Sequence, residues 1–459
     1  MGVWRDQRGI ALPMVLVFIT VFTLLGFTAA YLVTSQTTLG SRYAGSQDAL
    51  HYAEAGCQNY LWHLNEGTPN NVEFNKDIKF TDGYYRLQLI NTGQQTVTLR
   101  ATGWPAADPT NKRTIETRFR KRQFNQHVYL SHDDGSDIWW ADGEKCYGPL
   151  HTNTDLRIQG RPVFYGKVTY SNQLIKGTKY NPDFRAGPPQ KVAGLVFPAS
   201  NNQLKLLARQ GGYYYEGRTC IMLLGSGQIV TRNAKRAGDD GKLDSPETRP
   251  LPANGVIYVD GTTGNDQYSI NKFDLSRGNA FISGTLKGQL TVGAANDIYI
   301  TGKDPTNYDY KKAAATGGVR YAATTFTPVY QNSEQVGWTV SGNDMLGLVA
   351  NNNVWILGQY WFTGSVTDVA PYDIAIQGVV FAINKGFGYE TYDLYDKGTI
   401  NLIGSLIQHQ RLPVGLVGQT GYSKNYSFDP RMNYQTPPHF LEPSEAGWEV
   451  DYWQEVANP

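Results

Sequence analysis

Cysteine is scarce: three residues in 459, too few for the disulfide framework that stabilises small secreted domains. Neither sign of charge dominates, since 41 Lys plus Arg stand against 40 Asp plus Glu for a net charge of +1. That balance excludes the global basic footprint of a nucleic-acid coat and the self-repelling composition of a disordered chain. Only 18% of residues are charged while 41% are hydrophobic and 13% aromatic, so a folded, core-forming protein is expected. The signatures HExxH, GxSxG, GxxxxGKS and CxxC are also missing, and with them the support for metalloprotease, serine hydrolase, nucleotide or thiol-redox chemistry. His127, His132 and His151 are scattered through different turns and suggest no site. No enzymatic activity and no cofactor are expected.

What the chain does have is one long hydrophobic run. No charged residue lies between Arg8 and Arg42, and the segment from Ile10 to Val33 is apolar. About 20 such residues, rising about 1.5 Å each, cross a hydrocarbon core of roughly 30 Å. A single membrane helix follows, with Arg5 and Arg8 holding the short leader in the cytoplasm and everything beyond Val33 outside. A cleavable secretory signal fits less well, because Ala29-Ala30 is followed by Tyr31 and the apolar run continues. Beyond the membrane, Leu50, Ala53, Cys57, Leu61 and Leu64 form one helical stripe, and Gly67-Thr68-Pro69-Asn70 ends the helix. Helix from Ile10 to about Asn65 would be roughly 80 Å long.

The leader ending Arg8-Gly9-Ile10, followed directly by the uncharged helix and then by Tyr52-Ala53-Glu54-Ala55-Gly56, resembles the type IV prepilin leader and the PilX-type minor pilin N-terminus. The resemblance implies cleavage by prepilin peptidase between Gly9 and Ile10 and N-methylation of Ile10. Its implied partners are the membrane, other pilins and the pilus assembly machinery. Pro13 suits the first helical turn, whose N–H groups have no intrahelical partner. Met14 departs from the family, whose major pilins carry Glu at that position, and points to a tip, initiating or low-abundance subunit. The other reading is a membrane-anchored β-helix, glycan-binding or glycan-active, that never enters a filament.

Downstream, the pattern is β throughout. Three runs of period-two alternation, Tyr84 to Ile90, Thr96 to Ala101 and Thr114 to Phe119, with turns at Asp82-Gly83 and Thr92-Gly93, predict an antiparallel meander with one face on the helix. After Gln126 a motif of two alternate apolar residues and a glycine recurs, as in Leu156-Ile158-Gly160, Ile221-Leu223-Gly225, Ile257-Val259-Gly261, Ile374-Ile376-Gly378 and Ile400-Leu402-Gly404. The closest copies are roughly 18–26 residues apart, the size of parallel β-helix rungs. The stretch from Leu290 to Gly302 aligns without gaps on Leu346 to Gly358. Apolar residues would fill the coil, glycine would permit the corner, and asparagine would take a left-handed or turn conformation. Wider gaps require loops around Val230 to Pro252 and Lys303 to Asn343. A β-sandwich or propeller is the competing fold.

The expected chain is therefore mainly β: leader 1–9, pilin-like transmembrane α-helix 10–66, antiparallel β module 71–126, parallel β-helix (β-solenoid) with insertions 127–412, and C-terminal extension 413–459. Gly148 to Leu156, Asp344 to Ala350 and Tyr426 to Arg431 resemble an external domain of large PilX-type pilus assembly proteins, which implies a β-solenoid head outside the cell. Arg118, Arg120, Lys121 and Arg122 are candidates for DNA or surface binding, against the alternative of a charge-protected edge strand. Asp133, Asp134, Asp137, Asp142 and Glu144, and separately Asp239, Asp240 and Asp244, are weak candidates for structural calcium without a ligand ladder. Cys146 and Cys220 either pair in an oxidising exterior or stay free. Tyr213 to Tyr215, Tyr360 to Phe362 and Tyr389 to Tyr395 are candidate stacking platforms for glycans or single strands, or else core and interface residues.

Overall fold

The computed structural model describes residues 11–93, 95–234, 243–307, 312, 314–362, 365–416, 418–444 and 446–458. The chain divides into two units, residues 1–121 with 447–459, and residues 122–446.

Among the described residues the first unit is one α-helix, a 3-10 turn at Pro69–Asn71 and one sheet. Helix α1 spans Ala11–Asn65 and stops where Gly67 turns to φ +69°. There Thr68 N–H reaches His63 O at 2.8 Å and Gly67 N–H reaches Leu64 O at 3.3 Å, a Schellman closure of the last carbonyls. The sheet is antiparallel, in the order β1 (Asp77–Phe80), β2 (Gly83–Thr92), β3 (Thr96–Pro105), β4 (Arg113–Lys121) and β5 (Trp448–Val456). Ala53, Cys57, Tyr60 and Leu64 from the expected stripe and its flank bury against Leu87, Leu99, Ala101, Ile115 and Phe119. Each large apolar side chain so removed from water contributes about 1.5–3 kcal/mol. A Cβ on Gly103 would lie 2.2 Å from Ala49 O, so the strand meets the helix backbone only through a glycine.

The second unit is built on three ladders of parallel strands. The first stacks Tyr213–Glu216, Val256–Asp260, Gln289–Ala294, Met345–Ala350 and the later halves of Asp373–Ala382 and Asp396–Gln410. It continues onto Tyr129–Asp133, Leu150–Thr152, Val168–Tyr170 and Gln190–Lys191. The second ladder includes Thr219–Leu224, Ala280–Leu286, Ile298–Ile300, Val354–Ile356 and Phe387–Tyr389. The third runs through Thr316–Tyr321, the earlier halves of Asp373–Ala382 and Asp396–Gln410, Thr420–Phe428, Lys145–Tyr147, Val163–Phe164 and Asp183–Phe184. The gapless self-match is the register itself, since Leu290 pairs with Leu346 and Ile298 with Val354. The alternate apolar residues of the motif are buried, and Leu290, Ile298, Ile300, Leu346, Val354 and Ile356 have no exposed surface.

Spatial order is not chain order. Residues 129–191 stack outward from the middle, and the chain then returns to the far end and stacks from 213 to 428 until its last layer meets its first. The return crossover, residues 192–212, is pinned along the way. Leu195 exchanges hydrogen bonds with Asn153 at 2.8 and 2.7 Å, and Asn201 binds Ala294 O and Val349 O at 3.0 and 2.9 Å. Helix α2 (Asn202–Gly211) then buries Leu204 and Ala208.

Two expected boundaries differ from this arrangement. Residues 413–459 are not an extension: Thr420–Phe428 pairs inside the third ladder, and Trp448–Val456 completes the antiparallel sheet. Residues 122–126 belong to the second unit rather than to the meander. Both pairings join positions more than three hundred residues apart or reverse chain order, and no local pattern carries that.

Candidate functional site

The most distinctive functional surface is the bare stretch of α1. From Leu12 to Val33 the large apolar side chains are exposed, and this helix is long and apolar enough to cross a membrane. Its hydroxyls do not oppose that environment. Thr20, Thr23, Thr28, Thr34, Thr37 and Thr38 each donate to the carbonyl four residues earlier at 2.6–2.9 Å, so no threonine proton is left for solvent. Pro13 sits in the opening turn without interrupting the helix, and Met14 is 56% exposed. The first helical turn carries no acidic residue. Gly9 and Ile10 lie outside the described residues.

The basic strand is already partnered. Arg118 Nε donates to Asp451 at 2.6 Å, and Arg120 Nη2 to Glu449 at 2.9 Å. Arg118 also lies 4.8 Å over the ring of Tyr452. Lys121 faces Trp448 in register, and Arg122 follows the end of the strand. The expected basic edge is therefore corrected: β4 is an interior strand, and β5 brings acidic residues whose charges meet its arginines.

Of the two readings of Cys146 and Cys220, the structure has them free. All three cysteines are free and buried. Cys146 belongs to the third ladder and Cys220 to the second, about six strand spacings, or roughly 29 Å, away along the stack, far beyond disulfide reach. Burial pushes the Cys220 thiol up to about 11 and raises Cys146 as well, so neither is a reactive thiolate.

The first acidic cluster does not converge on a cation. Asp133 accepts from Gly135 N–H at 2.9 Å, and Asp137 from Ser136 at 3.0 Å. Asp134 turns inward, where the Tyr129 hydroxyl donates to it at 2.7 Å and Arg411 lies 3.8 Å away. Glu144 pairs with Lys424 at 2.6 Å and Arg411 at 3.9 Å, and Lys424 with Arg411 holds its carboxyl below the usual range against the opposing effect of burial. Among the described residues no group of three His, Cys, Asp or Glu is placed to hold a metal. Asp239 and Asp240 lie outside the described residues, and Asp244 accepts from Asn233 N–H at 2.7 Å.

Of the aromatic runs, Tyr215 and Tyr389 are buried. Tyr213 and Tyr214 are half-buried and, with Glu216, Asn233 and Arg249, line a cavity of about 410 Å³ at the strand that ends the first ladder among the described residues. The side chains of 360–362 lie outside the described residues.

Sequence reading missed three constellations because each joins distant positions. His132 stacks on His409 with ring centroids 4.3 Å apart. Arg411 ties Asp134 to Glu144 where the last layer meets the first. Lys272 and Glu390 form an ion pair with no exposed surface. The available signal was a lone charge set among aromatic or apolar residues, as at Lys272-Phe273 and Tyr389-Glu390.

The family model described as PilX N-terminal matches residues 8–58, and that of a domain of unknown function, DUF4900, matches residues 69–172. No curated protein and no solved structure matches the chain.

Proposed function

We propose that this chain is a minor, type IV pilin-like subunit involved in pilus assembly, with a β-solenoid head displayed outside the cell. The carrying observation is the coincidence of the PilX N-terminal match with a helix whose first half is apolar and bare. Such a helix is stable only in a bilayer or beside other apolar helices. Assembly then follows from the chemistry of the chain: leader removal at Gly9, retention of the helix in the cytoplasmic membrane, and transfer of the same surface to neighbouring pilin helices. Met14 offers no carboxylate to the terminal ammonium of a neighbouring subunit, which suits a tip or initiating position. The solenoid reading is supported by three parallel ladders in common layers and by the in-register repeat.

For the ligand of the head, the aromatic cavity at Tyr213 and Tyr214 favours a surface glycan. DNA at Arg118 and Arg120 has less support, because their charges are met within the sheet.

The test is the N-terminal peptide of the membrane-extracted protein, read by mass spectrometry in its own host. A methylated Ile10 start is expected. A chain that retains Gly2, or one cut beyond Ala30, would sink the pilin reading.

A further inference from the structure

Lys272 and Glu390 are the most deeply buried ion pair among the described residues, and neither side chain has exposed surface. Lys272 comes from the short 3-10 turn Ile270–Phe273 in the segment between two strands of the stack, and Glu390 directly follows the strand Phe387–Tyr389. The amine of Lys272 lies 5.6 Å from the centre of the Tyr299 ring and 5.8 Å from that of Phe273. Those rings belong to one stack, with Phe281 4.8 Å from Tyr299 and 5.4 Å from Phe273, and Trp355 and Leu357 extend the apolar wall.

Full charges are expensive in such a place, and their attraction repays the loss of water only partly. Burial lowers the pKa of Lys272 and raises that of Glu390. The proton can therefore pass from amine to acid, leaving a neutral nucleophile against a neutral carboxyl group.

The other oxygen of Glu390 is held separately. Gly358 N–H donates to it at 2.9 Å, and the Gln359 N–H supports the same carboxylate. A backbone donor aimed at one oxygen, as Gly358 N–H is, stabilises the oxyanion of a tetrahedral intermediate. Position 358 must be glycine for this, because a Cβ there would lie 2.5 Å from Thr391 Oγ1. A buried carboxyl group, Asp297, stands near enough for its charge to act on Lys272. Asp297 has no exposed surface, burial raises its carboxyl to about 7, and the Tyr299 hydroxyl donates to it at 3.2 Å. Such a group is populated in both protonation states near neutral pH.

From this geometry we propose that Lys272 and Glu390 condense spontaneously into an intramolecular amide that staples two distant layers of the second unit. The neutral Nζ attacks Cδ of the protonated Glu390, and the N–C bond forms. The negative charge gathers on the oxygen facing Gly358. Asp297 accepts the proton lost by Nζ and returns one to the departing oxygen, the C–O bond breaks, and water leaves. An ammonium and a carboxylate become one neutral amide and one water, so no oxidant, metal or energy source is required. The product removes both buried charges and keeps the Gly358 N–H contact to its carbonyl oxygen. The link does not depend on the pilin reading.

The experiment is peptide mapping of the purified, folded full-length chain by tandem mass spectrometry. The peptide bearing Lys272 is expected joined to the peptide bearing Glu390, at their summed mass less one water. Recovery of both peptides separately and unmodified from folded protein would overturn the proposal, as would joining of Lys272 to a different carboxylate. The Lys272→Ala chain should yield only the free Glu390 peptide, and because the first result uses no variant, a misfolded mutant leaves the test intact. In freshly translated protein, Asp297→Asn should slow accumulation of the joined peptide at least tenfold. An unchanged rate would overturn the part given to Asp297.

Discussion

His132 and His409 occupy adjacent strands of the first ladder, where the last layer meets the first, with their rings stacked at 29°. Burial and the neighbouring His132 push His409 below its ordinary pKa, with Asp133 opposing, and burial pushes His151 down as well. The surrounding groups are Asn153, which bonds His132 at 3.2 Å and His151 at 2.9 Å, the Phe197 ring, and His127 beside His151. The folded state therefore binds these protons less readily than the unfolded chain, whose reference is 6.5. Stability is complete above that pH and falls as acid is added below it. Urea midpoints measured from about pH 7.5 down to about pH 5 should drop, and His409→Gln should flatten that slope; an identical slope in the variant would remove the pair from the account. Glycine and asparagine show what was legible at this scale. Gly378 and Gly404 do take φ of 149° and 151° at a corner, whereas Gly358 is required by crowding and not by φ. Asn296 and Asn352 are not left-handed; Asn352 donates to Asn296 at 2.7 Å, and Asn296 in turn to Asn279 at 2.8 Å. Composition marked these positions, but the stacking partner that explains them is a layer away.

At the scale of elements, the decisive contacts join ends of the chain. Strand β5 turns β4 from an edge into an interior strand, and its Asp451 and Glu449 stand opposite Arg118 and Arg120 because antiparallel register places them there. Inside the second unit, the layer between Phe387–Tyr389 and Trp140, which bridges Ile158 in parallel, holds no strand of the second ladder among the described residues; Pro413 O accepts there from Tyr389 N–H at 3.2 Å, and the Arg411 side chain packs beside it. Its guanidinium lies 4.6 Å over the Trp140 ring, between Asp134 and Glu144. Arg411→Met leaves the buried Asp134 without its cationic partner, while Glu144 keeps Lys424, a loss of about 3 kcal/mol. Denaturant unfolding should show the drop, and a variant within about 0.5 kcal/mol of the parent would contradict the role given to Arg411. A second device crosses the same junction. The hairpin of Thr325–Gln331 and Glu334–Ser341 reaches over it and is held at its tip by Arg185 at 2.6 Å and by the Tyr165 hydroxyl. The strands of the meander were visible from period-two patterning; β5 and the hairpin grip were not, because each depends on a partner far away in sequence.

At the scale of the whole molecule, the second unit is an insertion between β4 and β5, whose residues Lys121 and Trp448 are register partners. Within it, two runs of layers, 129–191 and 213–428, meet through parallel pairing, ring stacking and the Arg411 network. A protease site inserted at the exposed Gly187, where φ is +91° and nothing crowds the residue, should therefore be cut without dissociation. The fragments are expected to co-elute in native gel filtration and to separate in denaturant; separation in native buffer would refute the closed arrangement. By itself the sequence determined the long apolar helix, the β character of the rest, which residues face the core, and even the register between Leu290–Gly302 and Leu346–Gly358, because these depend on periodicities of a few residues and on direct repetition. Only the tertiary structure decided which layer is first, that the last layer closes on it, that three cysteines stay apart, and that Lys272 meets Glu390. Those outcomes depend on which surfaces are brought together in space, and a side chain's partner across a stack leaves no mark on its neighbours in the chain.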